Sequence, residues 1–238
     1  MIAEEYLRSL IGEAQAARLT PLFVRRLLFA VADLALRKEF GNTFAERTLE
    51  SALAVKMLLK QFEIEADPFL VDVCYANLYE GTGEYGWSGF WDKEDHIILV
   101  TQFGEIVDLP VSRRHEHPDN RRTDALPIPA VWWNPSEAMP SHFLYLPKGR
   151  LSLDIAVEDK KRMDAFLQSV SETGNDVIGK ADSSDELYAP ILIGEQSIQK
   201  LREANHPWVL AADNAKIDNW PLPDYMQKRM EELAAKFG

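Results

Sequence analysis

A histidine and an aspartate separated by twelve positions flank a short apolar segment of this chain. His96 precedes the β-branched run Ile97–Val100, and Asp108 follows a second short apolar run. An aspartate that hydrogen-bonds an imidazole fixes its tautomer, and such a pair supplies the general base of many hydrolases and acyl-transfer enzymes. Whether the two side chains can meet depends on the loop between them.

The segment His96–Leu109 predicts a β-hairpin, because its apolar run is short, β-branched and bounded by turn residues. A two-residue loop would place His96 and Asp108 on opposite faces. A three-residue loop, Gln102–Gly104, pairs Ile98 with Asp108 and places the histidine on the same face, about 7–8 Å away. We favour the longer loop, because its third residue is a glycine, which suits a left-handed position. We therefore expect the two side chains to lie within hydrogen-bond or one-water reach.

Two residues are candidate nucleophiles for this pair. Thr43 precedes an apolar helical periodicity that continues to about Gln61, and Glu46 completes a capping box. A helix N-terminus favours a thiolate, although a threonine there is most often only a cap. Cys74 lies in a predicted interior strand, Phe69–Tyr75, where a cysteine is more often a buried small hydrophobe.

Further residues are candidates for lining or covering a cleft. The connection Asn77–Asp95 is long and rich in glycine and tryptophan, and connections of this length are often functional or mobile. We expect it to cover the cleft, with Trp87 or Trp91 near His96, and Cys74 is a further candidate. Asn134 is a candidate third group of a Cys-His-Asn type site, although Asn-Pro commonly opens a turn.

The order of these elements resembles the papain-like and transglutaminase-like cysteine enzyme superfamily. In that superfamily a Gly-x-Cys-like helix start opens an Ala/Leu-rich helix, a strand follows, and His and Asp occupy adjacent strands. The resemblance covers about residues 40–109 and is closest to a bacterial branch without the nucleophilic cysteine, since Gly41-Asn42-Thr43 stands at that position. It implies Thr43 as nucleophile, His96 as base and Asp108 as the residue that orients the base, with no cofactor or metal.

A secondary alcohol is a poor nucleophile without strong activation, whereas a thiolate needs little help. The leading interpretation is therefore a pseudoenzyme, a non-catalytic binding or scaffolding relative with threonine at the nucleophile position. The alternative is a hydrolase or acyl-transfer enzyme of the peptidase or amidase class, using Thr43 or Cys74 with His96 and Asp108.

The composition excludes several classes of partner. The 238 residues carry a formal net charge of −12, and such a surface repels nucleic acids and anionic membranes. The N-terminus lacks the basic and apolar regions of a signal peptide, and no stretch approaches the roughly 18 apolar residues of a membrane span. The single cysteine excludes an intrachain disulfide and a multi-cysteine metal site. We expect a cytoplasmic protein; its ligand and its oligomeric state are left open.

The patterns predict an α+β fold, with a helical N-terminal layer packed on an antiparallel sheet and the Thr43–Gln61 helix at the centre. Residues 1–171 are the predicted papain-like/transglutaminase-like core domain, and residues 172–238 are a C-terminal extension with a short strand and two helices. Glu172–Glu186 is the predicted linker between them. The charged segment Arg113–Asp124 is expected to be solvated, and Thr20 is expected to cap a helix that ends at Phe40.

Overall fold

The computed structural model describes residues 4–81, 85–88, 96–117, 122–140, 142–152, 157–180, 187–188, 190–216 and 220–237. None of the helices in these ranges has both the length and the apolar character needed to cross a membrane. The α-helices are α1 (Glu4–Ala17), α2 (Leu22–Phe40), α3 (Thr48–Leu59), α4 (Val157–Lys180), α5 (Glu195–Glu203), α6 (Pro207–Ala215) and α7 (Asp224–Phe237). The strands are β1 (Ala66–Leu78), β2 (Tyr85–Trp87), β3 (His96–Thr101), β4 (Ile106–Asp108), β5 (Ala130–Trp133), β6 (Phe143–Arg150) and β7 (Ile191–Leu192).

The strands form one curled sheet, and the α+β class expected from the sequence is confirmed. Strands β1, β3, β4, β5 and β7 are neighbours in that order, and β2 and β6 both pair with β1. The pairings are antiparallel except that of β5 with β7. Strand β1 is bonded on both edges, which confirms the predicted interior strand and extends it to Ala66–Leu78.

The two faces of the sheet pack against different partners, because successive side chains of a strand point to opposite sides. Ile97 and Leu99 of β3 join the core formed by α1, α2, α3 and α4, and we call this side the helical face. Ile98 and Val100 instead pack with side chains of β1 and β6 on the opposite face. Trp208 of α6 lies in the core that extends this opposite face.

The β3–β4 hairpin has the predicted three-residue loop. Leu99 pairs with Val107, and the Gly104 amide donates to the carbonyl oxygen of Thr101 at 2.8 Å. Gly104 has a φ of 83°, a conformation that glycine adopts without a steric penalty. This register places Ile98 opposite Asp108, as the sequence predicts.

The predicted capping box at Thr43 is wrong. Residues Gly41–Glu46 form a 3-10 helix, and α3 begins only at Thr48. The exposed Thr43 hydroxyl donates to the carbonyl oxygen of Phe40 at 2.9 Å, so it satisfies the end of α2 rather than the start of α3. The tight turn follows from Gly41, whose positive φ of 50° ends α2.

The predicted linker is also wrong over the part that the structure describes, because α4 continues to Lys180. Gly174 lies inside α4 where this helix contacts α2 and α3 and does not break it. A Cβ atom at this position would make ordinary contacts, 3.4 Å from Leu58 and 3.6 Å from Val31. Residues 181–186 of the predicted linker lie outside the described residues, and β7 beyond them joins the same sheet through β5.

Candidate functional site

The predicted His–Asp pair is present and buried. His96 Nε2 lies 2.7 Å from Asp108 Oδ2, and each residue is 1% exposed. Both side chains lie on the opposite face, because His96 alternates with Ile97 in β3 and Asp108 alternates with Val107 in β4. The geometric expectation from the three-residue loop is therefore confirmed.

The Asp108 carboxylate accepts hydrogen bonds from three groups of the protein. In addition to His96, its Oδ2 accepts a hydrogen bond from the Tyr145 hydroxyl at 2.9 Å. Its Oδ1 accepts from the backbone N–H of Val111, in the first turn of the 3-10 helix Pro110–Glu116, at 3.1 Å. Burial raises the pKa of Tyr145 well above its usual value, and the charge of Asp108 adds to this effect.

Arg114 determines the tautomer of His96. Its Nη2 lies 2.8 Å from His96 Nδ1, and a guanidinium has hydrogens to donate but no acceptor. Nδ1 must therefore accept, so Nε2 carries the proton and donates it to Asp108. We call these three residues and Tyr145 the His96 cluster.

The expectation that residues 113–124 are solvated is wrong at Arg114, which is 1% exposed. Val111 and His117 are also buried. These three residues follow one another at intervals of three, and side chains three apart lie on the same side of a 3-10 helix. The interval and the helix-starting Pro110 were the available signals, while the run of charges pointed to solvent.

Thr43 is not brought together with this pair. Its 3-10 helix carries Phe44 into the core of the helical face, whereas His96 faces the other side of the sheet. In the described part of the chain, the hydrogen bonds of the His96 cluster do not involve Thr43. The Thr43 hydroxyl instead donates to the carbonyl oxygen of Phe40. Its role as a nucleophile stays a prediction without a geometric partner.

Cys74 is likewise separated from His96. It is fully buried and packs with Leu146 and Met226, as expected of a small hydrophobe. Val71 is the residue of β1 paired with His96, and Val73 shares its face. Because Cys74 follows Val73 directly, its side chain points to the other side of the sheet.

The tryptophans do not form the expected cover over His96 where the structure describes them. Trp87 belongs to β2, its indole N–H donates to the Pro221 carbonyl oxygen at 3.0 Å, and its ring meets Trp220 edge-on at 5.6 Å. Neither partner belongs to the His96 cluster. Trp91 lies outside the described residues.

A separate cleft of about 1080 Å³ lies where β5 and β7 end. Asn134, the first residue after β5, lines it, so this predicted cleft residue does border a cleft, although a different one. The other walls come from α1, the first turn of α2, the segment after β7, and α5. Apolar side chains dominate part of this lining: Leu19, Leu22, Ile191, Ile193 and Leu201.

A second buried ionic group forms the floor of this cleft. The guanidinium of Arg25 contacts Glu105 at 2.8 Å and donates to the Thr20 carbonyl oxygen and to Asn134 Oδ1. Glu105 is fully buried and also accepts from the amide and hydroxyl of Thr20 and from the hydroxyl of Thr101. Thr20 therefore bonds to the hairpin, and the predicted N-cap of α2 is wrong, since Pro21 stands there.

Glu137 adds a carboxylate at the cleft itself. Its Oε1 accepts from the Asn134 side-chain amide at 3.1 Å, and its Oε2 accepts from the backbone N–H of Glu195 at 2.6 Å. Burial lowers the pKa of Arg25, and the charges of Glu105 and Glu137 oppose that change. We call Thr20, Arg25, Glu105, Asn134 and Glu137 the Arg25 cluster.

Sequence reasoning did not find the Arg25 cluster. Its members are 85 and 109 positions apart along the chain, so no local spacing joins them. One signal was present: Arg25 and Asp33 interrupt an α2 that is otherwise apolar on most of its circumference. A charged residue on the buried side of such a helix requires a buried partner.

No family model, no curated protein and no solved structure matches the chain. Within the described ranges, no group of three or more His, Cys, Asp or Glu residues is placed to hold a metal ion. The His96 cluster, the Arg25 cluster and the cleft are therefore the candidate sites for catalysis or binding in the described ranges.

Proposed function

We propose that this chain is a non-catalytic binding or scaffolding protein whose His–Asp pair stabilises the fold. The observation that carries this proposal is that both ring nitrogens of the buried His96 have protein partners. Asp108 takes one nitrogen and the permanently charged Arg114 takes the other.

A catalytic histidine needs a different arrangement. The acid orients one ring nitrogen, and the other lies within about 2.6–3.2 Å of the nucleophile or the substrate proton. In His96 that second nitrogen already accepts from a cation, so its lone pair is not available as a general base. With 1% exposure the ring also offers no surface to a substrate.

We extend the proposal to a distant relation with the papain-like and transglutaminase-like enzymes. The supporting features are a helix, α3, in contact with β3, and a His and an Asp on adjacent antiparallel strands. The departure is that His96 points away from α3 and from Thr43. In this proposal the relation lies in the order of elements, and the inherited pair has become part of the core.

Binding is supported by the cleft at the Arg25 cluster. Small-molecule sites are typically concave, of roughly 300–1,000 Å³, mostly apolar and supplied with a few convergent polar groups. The cleft of about 1080 Å³ matches this description. The net charge of −12 favours small molecules, peptides or proteins over nucleic acids as partners.

An alkylation experiment tests the absence of catalysis. Thr43→Cys in a Cys74→Ala background places one thiol at the proposed nucleophile position, and the rate of iodoacetamide alkylation is measured against pH. We expect a midpoint near the ordinary thiol pKa of about 8.5, because the position is exposed and lies at the end of α2. His96→Gln should leave that midpoint unchanged.

The exposed Thr123→Cys in the same background is the matched control, since Thr123 belongs to a turn outside the 3-10 helix Gly41–Glu46. A midpoint for Thr43→Cys well below that of Thr123→Cys, which rises when His96 is replaced, would contradict the proposal. It would instead favour the alternative hydrolase or acyl-transfer function.

A further inference from the structure

We infer that the cleft binds a small amphipathic carboxylate, whose head group takes the place of the Glu137 carboxylate and whose apolar body lies along the cleft wall. This inference deepens the proposed binding function and rests on it. In the ligand-free protein Glu137 acts as an internal substitute for the ligand.

The position of the Glu137 carboxylate is built to hold an anion. It receives one hydrogen bond from the Asn134 amide and one from the first backbone N–H of α5, and it lies near the buried charge of Arg25. Gly194 makes room for it, because a Cβ atom there would lie only 2.2 Å from Glu137 Oε1. The same groups would receive any other carboxylate of this size.

The topology supports the same location. Strands β5 and β7 are parallel neighbours, and Asn134 and Gly194 lie just beyond their carboxyl ends. In open α/β sheets, ligands bind beyond the carboxyl ends of the parallel strands. The β5–β7 pair is the parallel part of this mostly antiparallel sheet, and the cleft lies at the corresponding end. Here β7 leads through Gly194 into α5, which lies beside the cleft.

Release of the Glu137 carboxylate breaks its hydrogen bonds to Asn134 and to the Glu195 amide, which the incoming head group takes over. Glu137 belongs to the turn after β5 and is half-buried, while its backbone is held independently by the Trp133 indole, which donates to the Glu137 carbonyl oxygen at 3.0 Å. Rotation of the side chain would move its carboxylate toward solvent. The incoming head group carries the same charge, so the electrostatic balance around Arg25 and Glu105 is kept.

The rest of the cleft determines the second half of the ligand. Leu19 and Leu22 line the cleft from the segment before α2 and from its first turn. Ile193 lines it from the position after β7, and Leu201 from α5. A bare inorganic anion would leave this apolar surface in contact with water. A carboxylate attached to an apolar chain fills both parts of the cleft.

Titration calorimetry with octanoate tests the inference on the full chain. An internal competitor lowers the apparent affinity by the fraction of molecules whose site is free. If about one molecule in ten has the site free, Glu137→Ala should lower the Kd for octanoate about ten-fold. The uncharged 1-octanol should show no such gain.

Two further variants locate the head group. Glu13→Ala removes another carboxylate at the edge of the cleft, on α1, and should change the Kd for octanoate by less than about two-fold, because it is not bonded to this site. Gly194→Ala places a methyl group in the carboxylate position and should abolish octanoate binding in the presence or absence of Glu137. Its backbone, with a φ of −178°, is extended and accepts alanine.

Equal octanoate affinity in the wild type and Glu137→Ala would overturn the inference. So would an equal gain for 1-octanol, or unchanged octanoate binding in Gly194→Ala. These failures are distinct from failure of the proposed function. The proposed function fails if the alkylation midpoint of Thr43→Cys is lowered and depends on His96. An unreactive thiol with octanoate binding that ignores Glu137 would remove only the ligand assignment.

Discussion

The hairpin β3–β4 carries one charged cluster at each end, and the two differ in their access to solvent. At the open end, His96 and Asp108 are enclosed with Arg114 and Tyr145, and each of these has its partner inside the protein. At the loop end, Glu105 is equally buried, but its partner Arg25 also bonds Asn134, which lines a cleft.

Residue type alone does not distinguish the enclosed His96 cluster from the Arg25 cluster, which borders a cleft. Both clusters satisfy the rule that buried charges must be paired and hydrogen-bonded. In the His96 cluster the donors to the Asp108 carboxylate come from β3, β6 and the 3-10 helix Pro110–Glu116. In the Arg25 cluster one carboxylate, that of Glu137, comes from a half-buried turn, and this is the group that a ligand can replace.

The strongest test of the Arg25 cluster is removal of its central acid. Glu105→Ala should lower the free energy of unfolding by about 3–5 kcal/mol, because it leaves the Arg25 charge buried without its main partner. Urea denaturation measures this loss. Glu4→Ala is the control, since its ion pair with Arg8 is exposed and such pairs contribute about 0–1 kcal/mol.

A loss of unfolding free energy below about 1 kcal/mol for Glu105→Ala would contradict the assignment of Glu105 as the main buried partner of Arg25. It would mean that Arg25 is compensated by Glu137 or solvated by water from the cleft, and that the loop end is less enclosed than its contacts indicate.

Removal of the acid at the open end should have the next largest effect. Asp108→Ala should cost about 2–4 kcal/mol, because His96, Tyr145 and the Val111 amide each lose an acceptor in the core. Urea denaturation again gives the value, with the solvent-exposed Asp213→Ala as control. Octanoate affinity should be unchanged in Asp108→Ala, and a change would show that the two ends of the hairpin are coupled.

The hairpin was predictable because local chemistry determines it. The apolar run Ile97–Val100 predicts the strand, and Gly104 predicts the three-residue loop, whose length sets the register that places His96 beside Asp108. No distant contact is needed for that result. Arg114 was missed because a run of charges resembles a solvated loop, whereas the 3-10 helix brings Arg114 to the same buried side as Val111 and His117.

The cleft was not predictable from local patterns. It depends on contacts between Thr20 and Glu105, between Arg25 and Asn134, and between Glu137 and Glu195, which are far apart along the chain. The error at Thr43 has a local cause. Its hydroxyl can bond forward to an amide or back to a carbonyl, and the turn at Gly41 favours the carbonyl of Phe40.

The smallest expected effect reports how tightly the His96 cluster is enclosed. Tyr145→Phe removes one hydrogen bond to Asp108 and should cost about 1 kcal/mol at pH 7.

Burial, with the charge of Asp108, raises the folded-state pKa of Tyr145 well above its unfolded value of about 10. The unfolded chain therefore loses this proton first, and stability is lost as the pH rises above 10. Urea denaturation between pH 9 and 11 should show a shallower loss for Tyr145→Phe than for the wild type, by up to about 1.4 kcal/mol per pH unit. Tyr6→Phe, on the exposed side of α1, should leave the slope unchanged. An identical slope in Tyr145→Phe and the wild type would show that water reaches the His96 cluster, and that the cluster is less enclosed than its contacts indicate.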